Sequence, residues 1–238
     1  MRQVLIIGLA FLAGCASAPS GPVTAYEGAR VIVGDGTVLE NATLLVAGDK
    51  IGRVGRDVRL PADAKRVNLA GKTVMPMIID THVHLSSNRE ALVRDLKRRA
   101  YYGVSTALSL GTDGYEMLDL RGEKIPGAAR FLSAGRGITT QEPGRTTVPY
   151  WISSEAEARK AVEELAARKV DIVKIWVDTR DGKYKKLTPQ LYGSIIDEAH
   201  KRGLRVTAHI FDLEDASSCR WSSGGRSSSS RRICPSVA

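Results

Sequence analysis

The run VMPMIIDTHVHL over residues 74–85 sets Asp80, His82 and His84 at alternate positions. In a strand, residues i and i+2 share a face, so these three side chains are predicted to point to one side of an apolar strand. Two imidazoles side by side at a strand end are half of a divalent-metal site. A second candidate is Lys174, inside VDIVKIWV at 170–177. A charged ammonium is costly among apolar neighbours, and desolvation lowers its pKa toward a neutral, nucleophilic amine. Such an amine can take up carbon dioxide and become a carbamate, an anionic ligand able to bridge two metals. On its own, Lys174 would read as a snorkelling or ion-paired lysine. His209, in LRVTAHI at 204–210, would read as a satisfied core histidine. His200, beside Lys201 and Arg202 on a predicted helix, reads as a surface residue.

These residues need elements to position them, and from residue 74 onward the chain alternates between strand and helix patterns. Strands are predicted at 74–85, 104–110, 129–134, 170–177 and 204–210. A long loop is expected over 135–152. Ser87 with Glu90, and Ser154 with Glu157, stand at capping-box spacing and open helices at 87–100 and 154–168. Thr188 and Pro189 open another, and Gly103 and Gly203 fall where helices should end. Alternating strands and helices imply a parallel sheet, and five such units suggest an α/β fold of the (β/α) TIM-type barrel kind, strands 1–5 of 8. Barrel chemistry sits at the C-terminal strand ends. His82 and His84, Lys174, and His209 fall at three of those ends. Upstream, short apolar runs broken by Gly34-Asp35-Gly36, Gly48-Asp49 and Gly55 predict a small N-terminal β-sandwich module over 29–75.

The flanks read differently. Met1-Arg2 and the short apolar run after it form a targeting segment, too short for the about 20 residues a membrane-spanning helix needs. It ends in Leu12-Ala13-Gly14-Cys15, which resembles a bacterial lipoprotein signal over 1–14. That resemblance implies cleavage before Cys15, lipidation of Cys15, and anchoring to the outer membrane, facing the periplasm, with 15–28 as a flexible tether. The net charge of +9 does not point to nucleic acid. Four of those charges (Arg220, Arg226, Arg231 and Arg232) sit in an acid-free tail, and elsewhere bases alternate with acids on solvated faces. Cys219 and Cys234 could pair in an oxidising periplasm.

Together these motifs resemble the metal-dependent amidohydrolase superfamily, nearest to its imidazolonepropionase- and Xaa-Pro dipeptidase-like branch. The likeness runs over about 29–216. It takes in GDGTVLENATLLVAGDKIGRVG, LPADAKRVNLAGKTVMP, DTHVH, VDIVKIWVD and GLRVTAHIF. Met77 stands where the family usually has Gly. The resemblance implies two divalent metal ions, zinc first, with manganese, nickel or iron also suited. His82 and His84 would bind one, carboxylated Lys174 would bridge as the catalytic group, and His209 would bind the other. It further implies hydrolysis of amide-type C–N bonds in small molecules or dipeptides by a metal-bridging hydroxide.

The family also uses a histidine on strand six and an aspartate on strand eight. After Ala216 the sequence turns to SSCRWSSGGRSSSSRRICPSVA, with nine serines and four arginines in 22 residues. This aberrant 217–238 segment reads as an out-of-frame continuation, with a genuine disordered Ser/Arg tail as the alternative, and the barrel (76–216) is expected to be truncated and its activity impaired. The competing reading is a non-catalytic surface lipoprotein that keeps the scaffold for binding.

Overall fold

The computed structural model describes residues 21–221, with side chains to residue 217. The chain divides into two units between Pro76 and Met77. The expected signal, Cys15 and most of the Ser/Arg-rich tail, Cys234 included, lie outside the described residues. Among the described residues no helix is long and apolar enough to cross a membrane.

The first unit is one mixed sheet. Strands β1 (Val23–Ile32), β2 (Val38–Ala47) and β3 (Lys50–Gly55) pair antiparallel in sequence. Strands β4 (Lys65–Asn68) and β5 (Thr73–Val74) then join the free side of β1 in parallel. The expected two-layer sandwich is not what the described residues form, because the later strands extend the same sheet instead of facing it. β1 also starts at Val23, so residues 23–28 are hydrogen-bonded strand rather than tether. The turn that follows is glycine-dependent: Gly34 and Gly36 hold φ of 101° and 94°, where a side chain would be strained. Ala29, Val31, Ala42 and Leu44 bury a small core.

The second unit alternates strands and helices. β6 (Ile78–Val83), β7 (Val104–Ser109) and β8 (Arg130–Ser133) are parallel, with α1 (Arg89–Tyr101) after β6 and a 3-10 helix (Tyr115–Gly122) after β7. β9 (Ile138–Thr139), β10 (Tyr150–Trp151), β11 (Val173–Val177) and β12 (Val206–Ile210) form a second parallel group, ordered β10-β9-β11-β12. α2 (Glu155–Ala167) leads into β11, α3 (Pro189–Lys201) into β12, and α4 (Leu213–Trp221) follows. Main-chain bonds join the two groups. Ala134 N donates to Ser109 O at 2.9 Å, Gly137 N to Gly111 O at 2.8 Å, and Asp171 N to Ser133 O at 3.0 Å. The chain from β8 to β9 thus acts as one strand bent at Gly135 (φ 60°), with β7 on one side and β11 on the other. The expected loop over 135–152 therefore carries two short strands, because this bend lets the chain re-enter the sheet.

Helix starts follow local chemistry. Ser154 and Glu157 make the full reciprocal capping box, and Thr188 caps α3 with Pro189 in its first turn. α1 departs from expectation: Asn88, not Ser87, is the cap, and its side chain accepts from Ala91 N at 2.9 Å. An asparagine one residue nearer the helix reaches the free N–H better than the serine does. In α2, Ala158, Val162 and Leu165 recur at helical spacing and are fully buried, packing with Ile195, Ile196, Val173 and Ile175. Each such valine, leucine or isoleucine side chain contributes about 1.5–3 kcal/mol on burial. Met77 is exposed and outside the left-handed backbone region, so it leaves the approach to β6 unstrained.

Candidate metal centre

His82 lies on β6 and His84 one residue past its end, their rings 5.5 Å apart edge to face. The pairing of β6 with β7 is irregular between Asp80 and Val83, so strict alternation breaks there. Asp80 is accordingly drawn off to Arg99 of α1, at 3.7 Å, rather than joining the histidines. Thr112 Oγ1 stands 3.5 Å from His84 Nδ1.

Lys174 is the second residue of β11, nearer the strand's start than the carboxyl end expected of it, and is wholly buried; its Nζ has no hydrogen-bond partner. The Nζ lies 5.4 Å from the centre of the Trp176 ring, which faces the same way two residues on. Trp176 in turn stacks near His84, at 6.4 Å. The indole fits because Gly111 and Gly137 have no side chains; a Cβ on Gly137 would collide with it. Across β12, His209 registers directly opposite Trp176. Its Nε2 is 3.3 Å from Asp178 Oδ2.

The electrostatics tie these groups into one site. Burial, then Arg180, pushes Lys174 down to about 8. Burial, then Lys174 and His209, lowers His82; burial, then Lys174, lowers His209. His84 keeps an edge open to solvent, yet the protein around its ring, then His82 and Lys174, lower it too. Strand ends far apart in sequence therefore converge, and all three imidazoles are biased to the neutral form that ligates metal.

Among the described residues no three His, Cys, Asp or Glu side chains are already gathered around one point. What is gathered is a histidine pair, a third histidine with an aspartate, and a buried amine between them electrostatically. An unpartnered, fully buried Lys174 amine fits a group still to be completed by carboxylation and metal. A cavity of about 210 Å³ opens onto this cluster, lined by His84, Trp176 and His209 and by Thr112, Glu142, Arg145 and Arg180. A larger hollow of about 600 Å³ lies by the start of β7 and β8 and touches none of the histidines, so its size carries no functional weight.

Several site residues were not apparent from the sequence. Glu142 is buried, accepts from Thr139 Oγ1 at 3.1 Å, and ion-pairs with Arg145 at 2.8 Å and Arg180 at 3.4 Å. Arg180 and Asp181 both occupy the left-handed region, at φ 53° and 60°. Such backbone strain costs on the order of 1–3 kcal/mol per residue and gathers at functional sites. Asp178 did leave a signal: Lys174, Trp176 and Asp178 alternate and so share a face.

Parallel strands presenting histidines at or near their carboxyl ends, with a buried lysine on the strand beside one of them, define an α/β protein built around a candidate metal centre. No family profile matches the chain. A solved structure of a candidate prolidase from Bifidobacterium longum is similar at 30% identity and TM-score 0.73, covering 86% of this chain and 53% of its own. A Xaa-Pro dipeptidase structure with bound methionine matches in fold, at TM-score 0.70 and 19% identity, over 84% of this chain and 59% of that one. The enamidase of Eubacterium barkeri is 23% identical over 195 residues, 76% of this chain and 47% of the enamidase. These likenesses are consistent with the amidohydrolase superfamily. It spans about half the length of these relatives.

Proposed function

We propose that this chain carries the metal-binding part of a hydrolase that cleaves amide-type C–N bonds in small molecules or dipeptides. In this reading the second unit is five strands of an incomplete (β/α) barrel, with β8 and β9 counted as one and the two-residue β10 left out. The observation that carries it is Lys174: fully buried, unpartnered, and within electrostatic reach of His82, His84 and His209. No structural role satisfies such an amine, whereas a carboxylated, ligating one would be satisfied.

His82 and His84 would hold one divalent ion, His209 the other, and carboxylated Lys174 both. When bound, the ions supply Lewis acidity and acidify water at neutral pH. The protein's own part is to keep the imidazoles neutral, to fix their spacing through β6 and β12, and to wall the cavity with Trp176. Arg145 and the Thr112 hydroxyl, both on the cavity wall, would orient a polar substrate there. The described residues hold neither the further histidine nor the aspartate of the superfamily pattern, so this chain is expected to bind metal more readily than it turns over substrate.

The test is metal content. The full 238-residue chain, equilibrated with zinc and desalted, is expected to retain zinc by mass spectrometry of the metal. A His82→Asn/His84→Asn variant should lose at least half of it. Equal retention in both, or none in the parent, overturns the reading.

A further inference from the structure

We propose that Asp178 is the positioning residue for His209: its carboxylate engages Nε2 and thereby turns Nδ1 toward the metal. This rests on the metal-site reading above.

Asp178 follows directly on β11, on the face shared by Lys174 and Trp176. Its side chain is only 4% exposed. Oδ1 accepts from the Arg180 main-chain N–H at 2.8 Å, and Oδ2 lies 2.7 Å from Arg180 Nη1. Oδ2 is also 3.3 Å from His209 Nε2. That approach is within ion-pair reach but off the line of a good hydrogen bond, and both atoms are shielded from solvent without a well-formed bond of their own. A small rotation of the imidazole would close it. The Phe211 ring stands nearly perpendicular to the imidazole, with centroids 4.9 Å apart.

An imidazole has two nitrogens, and a carboxylate on one holds the proton there and leaves the other's lone pair for metal. At His209 the nitrogen facing the carboxylate is Nε2, so Nδ1 is the one available. Arg180 makes Asp178 a holder and not a ligand, because it already engages both carboxylate oxygens. Arg180 is itself fixed by Glu142 and by its left-handed backbone. The chain Glu142–Arg180–Asp178–His209 thus runs from the cavity wall to the metal-facing ring.

The experiment uses the full chain, stripped with a chelator and titrated with zinc against a colorimetric competitor, with fold followed by circular dichroism. Asp178→Asn should weaken zinc binding by about 10- to 100-fold. Asp178→Glu, which keeps the charge but displaces it, should weaken it less, and it decides the matter should the asparagine variant not fold. Saturated with cobalt(II), Asp178→Asn should show the parent's visible bands, since the ligand set is unchanged. Parent-like zinc affinity in the variants overturns the positioning role alone. Cobalt bands shifted as in His209→Asn also overturn it, by making Asp178 a ligand. A parent that takes up no zinc overturns the metal reading as well.

Discussion

At the scale of single residues, the centre is set by what burial does to nitrogen. Lys174 is the least comfortable side chain in the core: an amine with no partner beyond the Trp176 ring face, its pKa pulled down to about 8. A buried polar group left unmatched costs about 1–3 kcal/mol. Lys174→Met keeps the length and removes the amine, so metal-free protein is expected to gain roughly that much stability. The same variant should lose its bound zinc. Denaturation in chelator, paired with metal analysis, checks both. A methionine variant that is less stable than the parent would mean the amine is satisfied structurally and not reserved for a ligand.

At the scale of elements, the strand ends are tied by polar side chains as well as by the sheet. Asp113, buried in the loop after β7, accepts hydrogen bonds from Ser109 at the end of β7 and Ser133 at the end of β8. Ser109 Oγ also accepts from Leu85 N at 3.4 Å, and Ser133 Oγ from Gly135 N at 2.8 Å. One carboxylate thus helps hold the ends of β6, β7 and β8 level, which is where the first histidines stand. Burial raises the pKa of Asp113 above its ordinary 3.8, against the lowering effect of the two serines. The folded state therefore keeps a proton that the unfolded chain gives up. Stability should fall as pH rises from 3.8 through the raised value, and stay lower above it. Asp113→Asn should lack that acid-range slope, since one serine hydroxyl can turn to accept from the amide. Denaturant titrations across the range test this; parallel curves for parent and variant would show that Asp113 does not hold the extra proton.

At the scale of the whole chain, the sheets of the second unit end, among the described residues, on β6, β10 and β12. On β6, Ile78 and Ile79 are 55% and 61% exposed. An exposed apolar edge strand is a template for unwanted pairing. Ile79→Lys should therefore lower self-association in light scattering and leave the melting temperature close to the parent's, since little buried area is lost. Unchanged association would remove β6 as the sticking edge.

Much of this protein is legible in local chemistry. The capping pair Ser154 and Glu157 and the Thr188-Pro189 start foretell α2 and α3, because a cap is satisfied within one helical turn. The period-two pattern foretells which face of β11 carries Lys174. Where the pattern met competition it misled: Asn88 outbid Ser87, the first sheet grew sideways instead of folding over, and irregular pairing sent Asp80 to Arg99. His82, His84, Lys174 and His209 are individually ambiguous in the sequence, since each type also occurs as a satisfied core or surface residue. Their types are fixed by the chain, and the strand-end expectation holds for the histidines but not for Lys174, which stands second in β11. That they share one electrostatic environment, that Trp176 lies in a glycine cradle beside them, and that Asp178 stands against His209 are tertiary facts. They depend on distances between strands well separated in the sequence, and no local spacing encodes those distances.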